Sequence, residues 1–497
     1  MSQHFPLEFG LQNFKAFGSD MQKIDLKPIN LVYGKNSSGK SSLLHSLLFL
    51  HEMSNGGAGS DIHRTTLGED FVDLGGFKNY AHGKEVNGTV TFSFAFSTED
   101  PDFPEWEVQL SLQDIRIQNS GADKPVMMLR KRYLTEDEEA FSYILDSAGD
   151  GTYRLEFNEK SEWYSRMEGQ VRESSTGADS FSGVRFKVDR VNPFLLGRII
   201  GPVDDISFLP DEPDKLFSGF MDRLIYLAGL RTVPEKSFFD GGAPSRDNRN
   251  AGGMVYWEKI RADEATRRQV NNWLRLLFNE NESEDEPARY RIDVNPFVSP
   301  LAASREAYSF FDLLKESGDF SPKDQQAAFM TKLRELPSKM NVVRILQDEK
   351  LELTARELGV GVSQVIPLLG AACQKNRCVM IEQPEIHLHP KQQADLGEIF
   401  AKSALDESFG TRNTFLIETH SIHILERLGK MIRDGESHSS GISVKPEDIA
   451  IYFVDPHAED EEYTGGARIS CLELLEDGRL ESQFPGNFFN EDMNDLF

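Results

Sequence analysis

The sequence predicts an α/β fold with a mixed sheet, an antiparallel β lobe and a helical insertion subdomain. Three observations support this prediction. First, a short apolar segment at residues 29–33 precedes a loop rich in Gly and Ser and an apolar, helix-like segment at residues 43–50. Second, apolar and polar residues alternate in several segments between residues 88 and 146, which is typical of antiparallel strands. Third, apolar residues recur at three- and four-residue intervals from about residue 256 onward, which indicates helices.

The composition indicates a globular protein with several domain-sized cores. The chain has 497 residues, of which 39% are hydrophobic, and its net charge of −27 argues against a surface that is basic all over. Nucleic acid is therefore an allowed but not a favoured partner. The three cysteines lack paired spacing, so neither a disulfide framework nor a zinc site is indicated. Because no apolar stretch reaches the roughly 18 residues that cross a bilayer and the start lacks signal-peptide features, we expect a cytoplasmic protein without a membrane partner.

The β lobe is predicted from three alternating segments, at residues 88–96, 106–112 and 141–146. The opening residues 7–17 also alternate and indicate a strand that enters a turn. Between these strands lies a basic cluster at residues 130–132, which could contact an anion.

The insertion is predicted to be helical at residues 258–278, 304–317 and 322–333, the last of which begins with a proline at its first turn. A turn-rich loop at residues 240–253 and an acidic loop at residues 279–286 flank parts of it. We find no internal repeat and no sustained heptad pattern, so a long coiled-coil arm is not expected. We place the segment boundaries near residues 160 and 340.

Residues 34–42 match the phosphate-binding pattern G-x-x-x-x-G-K-[ST] between a strand and a helix. Glycines let the backbone N–H groups point at phosphate, Lys40 neutralises phosphate oxygens, and the hydroxyl of Ser41 can bind Mg²⁺. A chance turn rich in Gly and Ser is the alternative interpretation. The predicted nucleotide contacts in this loop are Gly34, Asn36, Ser37, Ser38, Gly39, Lys40, Ser41 and Ser42. We therefore expect ATP and Mg²⁺ as cofactors, although the pattern does not distinguish ATP from GTP.

A second strand-like segment, residues 378–381, ends in the acidic sequence Glu382-Gln383-Pro384-Glu385. A carboxylate at a strand end can hold Mg²⁺ directly or through water, opposite the phosphates that the first loop binds. Glu382 is therefore the candidate metal ligand together with Ser41. An acidic surface turn is the alternative.

A third strand-like segment, residues 414–417, ends at Glu418 and His420. A histidine at this place could contact the γ-phosphate or orient the attacking water, and an ordinary polar histidine is the alternative.

The segment Gly361-Val-Ser363-Gln364 precedes a helix-like stretch at residues 365–374. Ser363 is predicted to cap this helix, and its hydroxyl with the positive helix end could form an anion site. Capping alone remains an equal alternative.

These motifs, in this order, resemble the ABC-class ATPase heads of the SMC and OLD (overcoming-lysogenization-defect) group. The strings GVSQV, EQPEIHLHP and ETHS, at residues 361–365, 382–390 and 418–421, are similar to those of a bacterial family of stand-alone ATPases. YLAGLR at residues 226–231 and FPGNFF at residues 484–489 resemble the same family. The resemblance covers about half of the chain and is weak between roughly residues 100 and 340.

The resemblance implies an ABC-type P-loop ATPase head. Residues 1–160 would be its N-terminal half with the P-loop and the β lobe, 161–340 the insertion, first β and then mainly helical, and 341–497 its C-terminal half. In the family, the counterpart of Ser363 belongs to a signature motif that contacts the γ-phosphate bound by the other protomer. Two heads thus sandwich two nucleotides, which implies a homodimer or larger homo-oligomer with Gly361, Ser363 and Gln364 as nucleotide contacts.

One position departs from the family pattern. Most ABC heads have the catalytic glutamate directly after the metal-side acid, where this chain has Gln383. An amide cannot accept a proton from the attacking water as a carboxylate does, so we expect slow hydrolysis with Glu385 or Glu418 as the base. The candidate catalytic residues are Glu382, Gln383, Glu385, Glu418 and His420, the last resembling the switch histidine. A phosphate-sensing glutamine is not obvious, and Asn79 and His82 are weak substitutes.

The function that the resemblance implies is an ATP-dependent molecular switch. Similar bacterial proteins often occur in antiphage defence modules of the PARIS and Septu types, where the ATPase senses infection and controls a separate effector such as a nuclease. The acidic surface could steer a basic effector into place. The alternative is an ATP-clamped DNA-binding protein of repair or recombination, which predicts a positive stripe and salt-sensitive affinity. A nuclease of the OLD type is the third alternative, for which residues 422–497 offer little room.

Overall fold

The computed structural model describes the chain in segments that form two compact units. The first unit comprises Met1–Gly229, Gln374–Glu385 and Gly397–Phe497, and the second comprises Leu230–Cys373 and Ile386–Leu396. The described residues are 5–54, 77–85, 88–98, 104–116, 125–135, 138–147, 152–166, 185–188, 191–192, 195–196, 199–200, 212–235, 238, 251–279, 288–298, 339–348, 350–353, 357–435, 441–456, 466–485 and 488–489.

The described helices are α1 (Lys40–Ser54), α2 (Phe77–Tyr80), α3 (Glu212–Met221), α4 (Met254–Ala262), α5 (Glu264–Phe278), α6 (Val360–Ala372), α7 (Pro390–Leu405) and α8 (Ile422–Asp434). Short 3₁₀ turns lie at His82–Lys84 and Pro446–Asp448. Within the part of the chain that the structure describes, no helix has the length and apolar character needed to cross a membrane.

The centre of the first unit is a six-stranded sheet. Its strands, in spatial order, are β13 (Leu224–Leu227), β17 (Cys378–Glu382), β18 (Thr414–Glu418), β3 (Ile29–Gly34), β19 (Ile449–Asp455) and β20 (Arg468–Leu472). All neighbouring pairs are parallel except β19 with β20. Every residue of β3 and β18 is buried. Such burial is expected for parallel strands that are covered on both faces, and it explains why the middle of each strand is mostly apolar.

The register of this sheet determines which residues at the strand ends lie beside one another. Glu382 at the end of β17 lies opposite Glu418 at the end of β18, and Glu418 lies opposite Val32 of β3. Because the carboxyl ends of parallel strands meet at one edge of a sheet, the loop after β3 lies beside both glutamates.

A nine-stranded antiparallel sheet forms the predicted β lobe. Its spatial order is β12 (Ile199–Ile200), β9 (Arg185–Val188), β8 (Thr152–Phe157), β7 (Glu138–Ser147), β6 (Pro125–Thr135), β5 (Glu105–Arg116), β4 (Thr89–Ser97), β1 (Glu8–Gln12) and β2 (Gln22–Asp25). A separate two-stranded ladder joins β10 (Val191–Asn192) and β11 (Leu195–Leu196). The three alternating segments of the sequence fall in β4, β5 and β7. The predicted α/β class with an antiparallel lobe is confirmed.

The basic cluster at residues 130–132 is engaged by carboxylates of the same unit. Nη2 of Arg130 lies 2.7 Å from Oε1 of Glu139 on the next strand. Lys131 points to the opposite face of β6 and pairs with Asp214 of α3. These cations are therefore partly neutralised within the lobe.

The second unit contains helices and a sheet. Helices α4 and α5 confirm the helical prediction at residues 258–278, and Asp263 separates them because its side chain accepts hydrogen bonds from the N–H groups of Ala265 and Thr266. A three-stranded antiparallel sheet follows, with β14 (Tyr290–Val298), β15 (Lys339–Gln347) and β16 (Leu351–Leu353). The sequence did not predict this sheet. The helices predicted at residues 304–317 and 322–333 lie outside the described residues. Most residues of the predicted loops at 240–253 and 279–286 also lie outside them.

Helix α6 begins at Val360, earlier than the predicted start at residue 365, and Gly359 is its N-cap. Ser363 is therefore inside the helix, and the prediction that it caps the helix was wrong. Gly361 has a packing role in this helix. A Cβ atom at Gly361 would lie 2.6 Å from the carbonyl oxygen of His387, so only glycine fits there.

A pair of glycine substitutions tests the packing of α8. A Cβ atom at Gly429 would overlap the carbonyl oxygen of Gly478, whereas one at Gly219 of α3 has no atom within 4 Å. We expect Gly429→Ala to destabilise the first unit by about 1–3 kcal/mol. Gly219→Ala is the matched control and should be neutral or stabilising by up to about 1 kcal/mol, because alanine is the better helix former. Urea unfolding midpoints provide the measurement, and equal midpoints for the two variants would contradict the described contact.

Candidate functional site

The loop after β3 has the backbone conformation that its glycines permit. Gly34 has φ of 151°, Ser37 61° and Gly39 111°. A Cβ atom at Gly34 would lie 2.5 Å from the carbonyl oxygen of Val454, and one at Gly39 would lie 2.7 Å from Cβ of Ala16. Both glycines are thus required by conformation and by close packing.

Lys40 is the first residue of α1 and is almost fully buried, with 3% of its surface exposed. Its ammonium group donates to the carbonyl oxygens of Gly34 and Lys35, each at 2.8 Å. Burial lowers the pKa of Lys40, and the negative charges of Glu418 and Glu385 oppose this effect. The charged group therefore lies inside the loop and contacts the loop's own carbonyls.

Ser41 connects this loop to the end of β18. Its hydroxyl donates to Oε2 of Glu418 at 2.8 Å. Burial raises the pKa of the Glu418 carboxyl to about 7; the hydrogen bond from Ser41 opposes the rise and the charge of Glu382 adds to it. Near neutral pH this carboxyl can therefore be present in either protonation state.

Glu382, at the end of β17, is held by two side-chain donors and by the backbone N–H of Gly229. Tyr226 donates its hydroxyl hydrogen to Oε1 of Glu382 at 2.8 Å, and Nε2 of His45 lies 3.2 Å from the same oxygen. Burial alone would raise the pKa of Glu382, but hydrogen bonds, from His45 above all, outweigh it and hold the pKa below its usual range. The carboxylate is therefore ionised and oriented, as a metal ligand has to be.

Gln383 and Glu385 form hydrogen bonds with residues 418–420, at the end of β18 and in the turn after it. Gln383 has φ of 42°, and its N–H donates to the carbonyl oxygen of Glu418 at 2.7 Å. Glu385 accepts from the hydroxyl of Thr419 at 2.8 Å and from the N–H of His420 at 2.7 Å. Both oxygens of Glu385 thus bind the turn that carries His420.

His420 lies between Lys40 and an aromatic cluster. Its Nε2 is buried and has no hydrogen-bond partner among the described residues. Burial and the charge of Lys40 lower its pKa. The FPGNFF string supplies the aromatic side: the ring of Phe488 is 6.1 Å from that of His420, and Phe484 is 5.0 Å from Tyr33 at the end of β3.

The geometry fits a nucleotide triphosphate with Mg²⁺. Oγ of Ser38 in the loop and Nε2 of His420 are buried polar atoms that lack partners among the described residues, and such atoms are rare unless a ligand or water binds them. No group of three or more His, Cys, Asp or Glu among the described residues could hold a metal ion by itself. Mg²⁺ takes one or two protein ligands and completes its shell with phosphate oxygens and water, and the hydroxyl of Ser41 and the carboxylate of Glu382 are oxygen groups of that kind.

The predicted residues of the second unit surround the first turns of α6. Ser363 is 2% exposed, and its hydroxyl donates to the carbonyl oxygen of Val360 at 2.8 Å. The side-chain amide of Gln364 accepts from the N–H of Arg231 and donates to its carbonyl, both at 2.7 Å. Gln364 therefore fixes the backbone of the YLAGLR string, whose end lies in this unit.

The structure brings the first-unit candidates together. The P-loop, Glu382, Gln383, Glu385, Glu418 and His420 form one site, whereas Gly361, Ser363 and Gln364 belong to the second unit. Within the loop, Asn36 and Ser37 are exposed and Ser42 is half-buried. Of the substitutes for a sensing glutamine, Asn79 is exposed and His82 contacts the carbonyl oxygen of Lys15.

Sequence reasoning missed Lys15, His45 and the role of Tyr226. Nζ of Lys15 lies 2.9 Å from Nδ1 of His45, which in turn contacts Glu382. Burial lowers the pKa of Lys15 to about 8, and Glu382 opposes this effect. Two signals were available in the sequence. His45 interrupts the apolar residues of α1, and Tyr226 is the first residue of the YLAGLR string.

Two family models match parts of the chain. One, described as "AAA ATPase domain", matches residues 260–425. The other, described as "AAA domain, putative AbiEii toxin, Type IV TA system", matches residues 29–196. The second match contains the P-loop, and the first contains the GVSQV, EQPEIHLHP and ETHS strings. Together the two matches contain the sequence motifs of the site and support an ATPase domain. No curated protein matches it.

Solved structures of SMC heads are also similar to the chain. A Smc head bound to the C-winged helix domain of ScpA has 12% identity and a TM-score of 0.39, covering 95% of this chain and 98% of that one. The SMC head domain from Thermotoga maritima has 10% identity and a TM-score of 0.35, covering 95% and 100%. A Smc head with an extended coiled coil, bound to the C-terminal domain of ScpA derived from Pyrococcus furiosus, has 13% identity and a TM-score of 0.32, covering 99% and 98%.

The fold class follows from the arrangement of the sheets and the loop. A P-loop follows a central parallel strand, acidic residues end the two strands beside it, and an antiparallel lobe flanks the sheet. Together with the two family models, this confirms the predicted ABC-type P-loop ATPase fold with its antiparallel lobe and inserted helices.

The buried carboxyl of Glu418 makes the stability of the metal-free and nucleotide-free protein depend on pH. The pKa of Glu418 is about 7 in the folded protein and 4.5 ordinarily. The protonated carboxyl therefore stabilises the folded protein fully below pH 4.5, and this stabilisation is lost as the pH rises from 4.5 through about 7. Glu418→Gln removes this loss and keeps an acceptor for Ser41. We therefore expect the variant to gain stability over the wild type between pH 5 and pH 8, by an amount on the order of 2 kcal/mol.

Denaturant unfolding at the two pH values measures this difference. Glu407→Gln is the matched control, because the Glu407 side chain is 85% exposed and keeps its hydration in both states. A stability difference between Glu418→Gln and the wild type that is the same at pH 5 and pH 8 would show that the carboxyl is not desolvated as described.

Proposed function

We propose that this chain is a cytoplasmic ATP-binding switch of the SMC/OLD-like class that hydrolyses ATP slowly and regulates a separate effector in a bacterial antiphage defence system. One observation carries the ATP-binding part. The phosphate-directed groups Lys40 and Ser41 bond to oxygens of their own site, while the buried Nε2 of His420 has no partner among the described residues. A bound triphosphate with Mg²⁺ would supply partners for all three.

Binding would change the partners of the P-loop residues. Lys40 would exchange two carbonyl oxygens for phosphate oxygens, which interact more strongly with an ammonium group because they are charged. Ser41 would release Glu418 and turn its hydroxyl oxygen toward Mg²⁺, for which Glu382 is the oriented carboxylate. When bound, Mg²⁺ neutralises charge on the phosphoryl group that is transferred.

Among the three glutamates, Glu418 is the best candidate for the base. Glu382 is held by two side chains and the backbone N–H of Gly229, and both oxygens of Glu385 bind the turn of His420. Glu418 has its only described side-chain bond to Ser41, which the proposed binding step would break. Its carboxylate could then accept a proton from water, in place of the glutamate that Gln383 replaces.

The expected slow hydrolysis gives a direct test at Gln383. We expect Gln383→Glu to raise the steady-state kcat for ATP at least about 10-fold, because a well-placed general base contributes about 10²–10⁴-fold. The ATP affinity should change little. Lys40→Ala is the control and should lose ATP binding, measured by calorimetry. A kcat that is unchanged or lower in Gln383→Glu would show that this position does not face the attacking water.

The homodimer belongs to the same proposal. Beside Ser363, the second unit exposes two large apolar side chains, Leu230 at 74% and Val360 at 55%. Exposed apolar side chains next to a signature motif suit a surface that a second copy covers. We propose that this surface contacts the nucleotide bound by the other protomer, as the resemblance implies.

ATP should therefore drive self-association. We expect the wild type with ATP and Mg²⁺ to elute as a dimer or larger oligomer in size exclusion with light scattering, and as a monomer without ATP. Val360→Arg should stay monomeric while it still binds ATP, since Val360 is 55% exposed and the added charged side chain would lie on the signature surface. A Val360→Arg protein that associates like the wild type would contradict the sandwich.

The effector is proposed on the resemblance and on the net charge of −27, which would attract a basic partner. The alternative, an ATP-clamped DNA-binding protein, is less favoured because the basic residues 130–132 are engaged by carboxylates. Purification with the products of adjacent genes, with and without ATP, distinguishes the two. Capture of a protein supports the switch, whereas salt-sensitive DNA binding without such capture supports the alternative.

A further inference from the structure

Two donors from different elements converge on one oxygen of Glu382. Tyr226 of β13 donates its hydroxyl hydrogen to Oε1 at 2.8 Å. Nε2 of His45, on α1, lies 3.2 Å from the same atom. On its other side, Nδ1 of His45 lies 2.9 Å from Nζ of Lys15. A chain of hydrogen bonds thus runs from Lys15 through His45 to the carboxylate.

Lys15 determines which nitrogen of His45 carries the hydrogen. A protonated lysine has donors but no acceptor, so Nδ1 of His45 has to accept the hydrogen bond from Lys15. In a neutral imidazole the other nitrogen then carries the hydrogen, so Nε2 donates to Glu382. Each hydrogen bond is therefore donated in the same direction, from Lys15 to His45 and from His45 to Glu382.

The far end of this chain is anchored by the backbone of Lys15. Its N–H donates to the carbonyl oxygen of Tyr80 at 2.7 Å, and its carbonyl oxygen lies 2.8 Å from Nδ1 of His82. Its φ of 49° is in the left-handed region, which a lysine adopts only when its surroundings fix it. The ammonium group is therefore presented to His45 from a fixed position.

We propose that His45 and Tyr226 are positioning residues that orient Glu382 toward the metal, and that Lys15 acts through His45 by fixing its tautomer. This inference rests on the proposed function of the site. A glutamate that is held at one oxygen loses little further freedom when it binds a metal. Loss of such outer partners typically weakens metal affinity about 10–100-fold. The inference also gives a role to Tyr226, the first residue of the YLAGLR string.

The main test measures Mn²⁺ affinity by electron paramagnetic resonance, with the protein saturated by a non-hydrolysable ATP analogue. Tyr226→Phe removes one hydroxyl, and His45→Leu removes the ring. We expect each to weaken Mn²⁺ binding about 10-fold or more. His45→Gln should restore most of the affinity, because its amide can accept from Lys15 and donate to Glu382. Affinity for the analogue in EDTA should stay at the wild-type value in all three variants.

Tyr452→Phe is the matched control. The hydroxyl of Tyr452 donates to the carbonyl oxygen of Asp25 at 2.6 Å, away from the site, so its loss should leave Mn²⁺ affinity unchanged. If the wild type with the analogue binds no Mn²⁺, the proposed function itself fails. If the wild type binds and Tyr226→Phe and His45→Leu bind equally well, only the positioning role fails.

A second measurement needs neither nucleotide nor metal. Nitrogen-15 NMR of histidine-labelled protein reports the tautomer of each ring, and the His45 signals are assigned by their absence in His45→Gln. We expect hydrogen on Nε2 of His45 in the wild type, and a mixture of tautomers in Lys15→Met. A wild-type ring with hydrogen on Nδ1 would overturn the proposed direction of the chain, whatever the metal affinities of the variants.

Discussion

The hydrogen bond from Ser41 to Glu418 joins the phosphate-binding loop to the strand beside it. It exists because β18 lies next to β3 in the parallel sheet, which places the carboxyl end of one strand beside the helix that follows the other. It occupies the hydroxyl that Mg²⁺ would need, and it holds a buried carboxyl whose pKa is raised to about 7. Nucleotide binding and release of Glu418 are therefore coupled in our proposal, because one hydroxyl cannot serve both.

The three glutamates of the site differ through their partners. Glu382 receives hydrogen bonds from His45, Tyr226 and the backbone of Gly229 and stays ionised. Glu385 builds the turn of His420, and Glu418 is desolvated beside Ser41. Close carboxylates in a buried site repel one another. A glutamine at position 383 avoids a fourth negative charge in this cluster. An uncharged side chain at this position thus makes the metal-free site easier to form.

Local patterns predicted much of this structure, and distant contacts did not. Gly34, Lys40 and Ser41 were identified because the P-loop is contiguous in sequence, and the alternating lobe strands were identified for the same reason. The start of α6 was misplaced because the close approach of Gly361 to the carbonyl of His387 joins residues that are distant in the sequence, which no local pattern shows. Lys15 and His45 escaped because their partners are far away along the chain. The roles proposed for the site residues, including the trans contact of Ser363, remain predictions.

A crystal structure with Mg²⁺ and a non-hydrolysable ATP analogue is the most direct test of the central claim. We expect Nζ of Lys40 to leave the carbonyls of Gly34 and Lys35 for phosphate oxygens. We also expect the hydroxyl of Ser41 to leave Glu418 and face Mg²⁺. A nucleotide bound in the P-loop while Ser41 still donates to Glu418, or a nucleotide bound elsewhere, would contradict the coupling that we propose.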